Sequence, residues 1–286
     1  MNRALSLTAL QLPHHYDRGF QLAVHAERLG YSRYWLAEHF ESKPGAIGSS
    51  IVAATAAASA TTIIRVGTAG ILLGFYPVAL AAIQFRAMAA LFPGRIDAGF
   101  CRGGTANADA FEADVVEWAY ESKVERLIRA SYGTDLPPQD GPSPNLWYLG
   151  ASAKSARLAA HLGLSYAYAL QFLGNADDPT AIAEYHESFR PNEWQSEPSS
   201  SVAVAGYCSD STADVERQIN GRAWAAGYNP SVVGSPQVCR DRCFQIAERY
   251  GVSELAFINM THDPVAEARS LELLADAVSL QPPDLP

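Results

Sequence analysis

The chain has 286 residues, 48% apolar and 18% charged, which is a globular composition with enough length for one large core. A net charge of −9 argues against a nucleic-acid partner and against an anionic membrane surface. No apolar run reaches the ~18 residues of a membrane-spanning helix. The opening MNRALSLTALQLP also lacks the basic, long-apolar, small-residue order of a signal peptide. A cytoplasmic protein is expected.

Leu5 to Leu12 (LSLTALQL) alternates and reads as a first strand. From Tyr16 to Leu29 the apolar Phe20, Ala23, Val24 and Leu29 fall at helical spacing, with Gly30 as the stop. Tyr31 to Ala37 is a second strand. After the loop ESKPGAIG, Ser49 to Thr62 reads as an alanine-rich helix that Ser49 or Ser50 can cap. Ile64 to Leu73 is a third strand, in which Gly67 and Gly70 signal a bulge or a close backbone approach to a ligand. Pro77 opens a helix that runs to about Leu91. A Phe-Pro-Gly turn then leads into a fourth strand, Arg95 to Phe100, ending in Cys101-Arg102-Gly103-Gly104.

A helix is expected from roughly Asp109 to Tyr132. Gly133 to Asn145 is loop and the best linker candidate, but strand Leu146 to Leu149 follows at once, so no domain boundary is placed there. Ser152 to Leu162 is a helix stopped by Gly163, Leu164 to Phe172 a sixth strand and Pro179 to Phe189 a helix. Val202 to Cys208 is a seventh strand, and Thr212 to Trp224 is helical. Ser235 and Pro236 start a helix Gln237 to Tyr250. Leu255 to Asn259 is the eighth strand, and Asp263 caps a last helix to Val278. Cys239 and Cys243 stand four apart in a helical pattern, which is poor zinc spacing without a second pair, so a reduced setting is expected.

Eight strand-then-helix units with short connections imply a parallel sheet closed as a (β/α)₈ TIM barrel, an α/β fold. A doubly wound open sheet is the alternative. No GxGxxG or GxxxxGK[ST] follows any strand, so neither nucleotide fingerprint is present.

A barrel carries its chemistry at the C-terminal strand ends. The second strand delivers Glu38 and His39 there. Their plainer reading is a buried acid with an ion-pair partner and a satisfied histidine. The third strand offers Ala69, Gly70, Ile71 and Leu72, and the fourth Cys101 and Arg102. The fifth offers Gly150, Ala151 and Ser152, the sixth Gln171 and Phe172, and the eighth Asn259. The run GASAKSA opens a helix with small residues, two hydroxyls and Lys154. Free N–H groups at such a start form an anion site, with Lys154 and Arg102 as counter-charge. The plainer reading is an N-cap by Ser152 with Lys154 solvated. An apolar, glycine-rich wall beside an anion site suits a flat aromatic cofactor with a phosphate tail.

Several stretches resemble one family. AERLGYSRYWLAEHF (Ala26 to Phe40), RVGTAGILL (Arg65 to Leu73), LFPGRIDAGFCRG (Leu91 to Gly103) and WYLGASAKSARLAAHLGL (Trp147 to Leu164) look like the luciferase-like, flavin-dependent monooxygenases, in the right order, and RSLELLADAVSL near the C-terminus also fits. The resemblance implies a single barrel domain over 1–286 that binds FMN at the C-terminal face. His39 matches the family histidine near the reactive part of the isoalloxazine, where it would help form, hold or deprotonate a flavin–peroxide. Glu38 would support the strand end. Ala69-Gly70 matches a non-proline cis peptide behind the ring, with Leu72 beside it. Cys101 matches the thiol beside the ring in bacterial luciferase, and Arg102 an arginine that reaches the phosphate. Ser152 and Ser155 fall in the phosphate loop with Ala151 and Lys154. The departures are Phe40, where many relatives have a second histidine, Ala151 in place of a hydroxyl, and an unusual Lys154. The chain is also short for the family, after strand four and around 220–234.

By this resemblance the expected activity is oxygenation of a small organic substrate by reduced FMN and dioxygen, with the FMN reduced by a separate flavin reductase. A homodimer is the default assembly. The alternatives are a reductase or dehydrogenase using the deazaflavin coenzyme, whose longer anionic tail Lys154 would suit, and a non-catalytic flavin-binding protein.

Overall fold

The computed structural model describes residues 4–12, 19–39, 48–103, 120–133, 135–137, 140–172, 174, 177–220, 227–261 and 263–284. Phe40, Gly104, the expected helix start at Asp109 and the end of the helix expected to reach Trp224 lie outside these residues.

Strand β1 (Ser6–Gln11), helix α1 (Gly19–Arg28) and strand β2 (Arg33–Leu36) make the first unit. Helix α2 (Ser50–Ala60) starts where the sequence places it, with the Val52 amide donating to the Ser49 hydroxyl. The expected third strand is two short ones, β3 (Arg65–Thr68) and β4 (Ile71–Leu72), joined through a cis Ala69–Gly70 peptide. Its glycines answer to a close approach of protein backbone. A Cβ on Gly67 would lie 2.0 Å from the Asp97 carbonyl oxygen, and one on Gly70 would lie 2.7 Å from Phe100 Cα. Only a residue without Cβ lets the chain pass so near the following strand.

Helix α3 (Val78–Leu91) follows, with Pro77 just ahead of it, and then β5 (Ile96–Cys101). The next elements are α4 (Tyr120–Ser131), β6 (Asn145–Gly150), α5 (Ala153–His161), β7 (Ser165–Ala169) and α6 (Thr180–Ser188). The chain continues as β8 (Ser200–Cys208), α7 (Thr212–Asn220), β9 (Pro230–Gly234), α8 (Pro236–Tyr250), β10 (Glu254–Asn259) and α9 (Pro264–Val278). β7 stops short of the expected Phe172. That residue instead forms an isolated antiparallel bridge with Tyr228. β9 was not foreseen.

All the strand pairings are parallel, in the order β1, β2, β3, β5, β6, β7, β8, β10, and β10 pairs with both β8 and β1 to close the barrel. This is the expected (β/α)₈ barrel. β9 stands outside the ring and pairs with Ala205–Cys208 of β8, beyond the Ser200–Ala203 segment that pairs with β7.

The side-chain alternation of the strands divides the core in two. Leu10, Trp35, Trp147, Ala167, Ala203 and Ala256 fill the barrel, where the alanines make room for two indoles that meet edge to face at 4.9 Å. Leu7, Tyr34, Val66, Phe85 and Leu255 pack outward under the helices. The N-terminal end of the barrel is plugged by charge. Arg33 holds Asp97 at 2.8 Å and Glu254 at 2.9 Å, Arg65 holds Asp97 at 2.7 Å, and the Trp35 indole N–H donates to Asp97 at 3.0 Å. Burial alone would push Asp97 up, but Arg33 and Arg65 outweigh it and hold its carboxyl below the usual range. The opposite, C-terminal end is left open for a ligand.

Candidate functional site

At that open end lies a cleft of about 870 Å³. Glu38, His39, Ala69, Gly70, Leu72, Cys101, Arg102, Ala151, Ser152, Lys154 and Ser155, which are the residues singled out from sequence, all line it. They come from β2, the β3–β4 junction, β5 and the start of α5, so the barrel gathers residues up to 117 positions apart in sequence, from Glu38 to Ser155.

Glu38 is 2% exposed, and among the described residues hydrogen-bond donors rather than a cation hold its carboxylate. Leu72 N donates to Oε1 at 3.0 Å. Tyr76 Oη (2.8 Å), Ser50 Oγ (3.1 Å) and Ser50 N (3.3 Å) donate to Oε2. Burial pushes its carboxyl up, against the pull of those hydrogen bonds. One side chain thereby ties the end of β2 to the first residue of α2 and to β4. His39, next along, is half-buried at the cleft wall.

Cys101 sits across from this pair, with its sulfur 4.0 Å from the Gly70 carbonyl oxygen. Desolvation pushes its thiol up to about 12, so the sulfur is a neutral wall group at physiological pH and not a nucleophile. Tyr148 and Tyr120 are buried phenols on the same side, both pushed upward by desolvation. The Ala69–Gly70 peptide and Leu72 complete a flat, apolar wall.

The start of α5 closes the other end. Ser152 and Ser155 form a reciprocal capping box: Ser155 N donates to Ser152 Oγ at 3.2 Å and Ser152 N to Ser155 Oγ at 3.1 Å. The Ser155 hydroxyl also lies 2.9 Å from the Tyr166 hydroxyl, so it is used inside the protein. Gly150 makes this possible, because a Cβ there would fall 2.3 Å from Ser155 Oγ. Ser152 and Lys154 are exposed at the cleft, as is Arg102. Among the described residues two cations and a helix start line the same cleft, a donor set that suits a phosphate. The N-cap reading of Ser152 and the anion-site reading of the loop are therefore compatible.

Sequence reasoning also named Asn259, Ile71, Gln171 and Phe172. The last two line the cleft. Asn259 faces away and donates to the Glu267 carbonyl at 3.4 Å, while its neighbour Ile258 faces in. Ile71 packs into the outer core. The residues missed include Leu10, Leu12, Phe75, Tyr120, Tyr148 and Tyr228. The alternation of the first strand could have indicated Leu10 and Leu12. Tyr228 lies in a segment with no readable periodicity. No cluster of three His, Cys, Asp or Glu side chains among the described residues could hold a metal ion.

The fold and the cleft together define a closed parallel barrel with a pocket at its C-terminal face, where barrels of this kind carry their chemistry. The chain belongs to the luciferase-like monooxygenase family, which it matches over residues 4–279, and so to a family of oxidoreductases. It is 30% identical over 303 residues to the uncharacterized protein YceB of Bacillus subtilis, covering 90% of this chain and 91% of that one. The crystal structure of apo-MsnO8 superposes with a TM-score of 0.85 at 30% identity, covering 98% of this chain and 100% of that one. Two more distant structures share the fold. The oxygenating constituent of 3,6-diketocamphane monooxygenase from Pseudomonas putida, in complex with FMN, has a TM-score of 0.71 at 17% identity, over 96% of this chain and 98% of that one. An F420-dependent secondary alcohol dehydrogenase has 0.68 at 15%, over 96% and 99%.

Proposed function

We propose that the protein is an FMN-dependent monooxygenase that oxygenates a small organic substrate and receives its reduced FMN from a separate flavin reductase. The observation that carries this reading is the convergence, in one cleft, of a cationic helix start with a flat apolar wall next to His39. Arg102, Lys154 and Ser152 would hold the phosphate, and Leu72 with the Ala69–Gly70 peptide would back the ring. Bound reduced FMN supplies the electrons that activate dioxygen. His39 holds or moves a proton at the reacting edge of the cleft. Glu38 fixes the backbone that presents His39, and the neutral Cys101 thiol contributes shape without charge.

The second reading, a deazaflavin-dependent dehydrogenase, draws on the exposed Lys154, which could accompany a longer anionic tail, and on the shared fold. Separate anaerobic titrations with reduced FMN and with the reduced deazaflavin coenzyme decide between them. Saturable FMN binding is expected; tight deazaflavin binding without FMN affinity would overturn the monooxygenase reading.

The assembly we propose is a homodimer. α2 and α3 carry apolar residues on their outer faces as well as their inner ones. Val52, Ala56 and Ala60, with Ile63 just past the helix end, form one exposed stripe, and Leu80, Ile83, Ala87 and Leu91 a second. A helix with apolar residues on both faces is normally covered, and two such stripes on neighbouring helices suit a second copy of the chain.

A further inference from the structure

A second hollow, of about 450 Å³, lies toward the far ends of two helices that also build the cleft. The cleft takes Tyr120 and Glu121 from the start of α4, and Ser152, Lys154 and Ser155 from the start of α5. The second hollow takes Glu125, Ile128 and Arg129 from later in α4, and His161 and Leu162 from the end of α5. Segment 190–194, which follows α6, completes it. Helix ends in a (β/α)₈ barrel lie at the face opposite the active site, so this hollow is separate from the cleft.

Hydrogen bonds fix its wall in place. Arg190 N donates to the Ala160 carbonyl at 2.9 Å. The Asn192 amide donates to the Leu162 carbonyl at 3.3 Å and the Gly163 carbonyl at 3.2 Å. Its Oδ1 accepts from Trp194 N at 3.2 Å and from Gln195 N at 2.8 Å. The Trp194 ring lies flat on Tyr132, with centroids 4.3 Å apart and planes 11° apart, yet Trp194 stays 38% exposed. Glu125 and Arg190 line the hollow from different elements, and both are exposed. Among the described residues neither side chain has a hydrogen-bond or ion-pair partner, and neither does that of His161. Arg129, by contrast, is held by Asp135 at 3.2 Å. An acid and a guanidinium that line one hollow without meeting suit a ligand that carries both opposite charges. The aromatic face beside them suits a ring.

We infer that this hollow is a second ligand site and that it takes a zwitterionic aromatic amino acid. Arg190 and His161 receive the carboxylate, Glu125 the ammonium group, and Trp194 the ring. The site is independent of what the cleft binds.

The test is calorimetric titration of the full chain, with and without saturating FMN, using three probes. They are L-tryptophan, tryptamine, which lacks the carboxylate, and indole-3-propionate, which lacks the ammonium group. L-Tryptophan is expected to bind about fivefold more tightly than either analogue, the scale of an ion pair open to solvent. FMN should leave that affinity unchanged. Arg190→Gln is expected to remove the preference over tryptamine and keep the one over indole-3-propionate, and Glu125→Gln to do the reverse. Both side chains are exposed, so both variants should unfold at the wild-type midpoint. Absence of L-tryptophan binding, or equal binding of the three probes by wild type, would overturn the inference without any variant. So would preferences that survive both substitutions. Competition by FMN would place the amino acid in the cleft and overturn it too. The expected probe pattern with no FMN binding at all would uphold this site and sink the cofactor reading instead.

Discussion

Glu38 shows how one residue can prepare the site for another. Among the described residues its four donor groups belong to Ser50, Leu72 and Tyr76, which lie 12, 34 and 38 residues further along the chain. The acid and the histidine were legible in the sequence because they follow an apolar run. The donors were not, because nothing local marks them. Glu38→Gln turns an acceptor-only group into one that presents an N–H₂ to donors. The variant is expected to lose roughly 1–3 kcal/mol in urea unfolding, since at least one buried donor is left unpaired. An unchanged unfolding midpoint would mean that the carboxylate does not fasten the strand end. Cys101 gives the opposite lesson. Its place at the cleft was readable, but the desolvation that pushes its thiol further up depends on the folded chain.

At the scale of elements, periodicity located every barrel strand, and the capping residues Ser49, Ser235 and Asp263 fall at helix starts as read. β9 escaped because its apolar content is two valines between Pro230 and Gly234, too little for a pattern. The break in the third strand was read from its glycines, and the resemblance implied the cis Ala69–Gly70 peptide found there; only the partner that comes close was not legible, because glycine alone does not name it. Helix α9 carries a pH response of its own. Burial pushes Glu267 up to about 8, above the ordinary 4.5. The folded chain therefore keeps a proton that the unfolded chain releases. That contribution is complete below 4.5 and is lost as pH rises toward 8. Stability should fall across this window by an amount on the order of a few kcal/mol. Glu267→Gln should flatten that part of the profile, and equal slopes for the two proteins would contradict the assignment.

For the whole molecule, the barrel separates stability from function by its two ends. The Arg33–Asp97–Glu254–Arg65 cluster closes one end, and the cleft opens the other. The eight-unit pattern made this polarity readable, whereas the closing contacts of β10 with β8 and β1 depend on the whole chain. The outer stripes of α2 and α3 predict a dimer. Sedimentation should give twice the chain mass for wild type, and Ile83→Arg should give monomers, because a charge in an apolar contact has no partner there. A wild-type monomer would contradict the paired-helix interface. The central claim is that FMN lies in the cleft with its phosphate at the cationic start of α5. The most direct measurement is the dissociation constant for reduced FMN in wild type, Arg102→Ala and His39→Ala under anaerobic conditions. Arg102→Ala should weaken binding by about tenfold or more, the loss of a charge-assisted hydrogen bond. His39→Ala should bind like wild type yet fail to turn over. Equal affinity in wild type and Arg102→Ala would contradict the account.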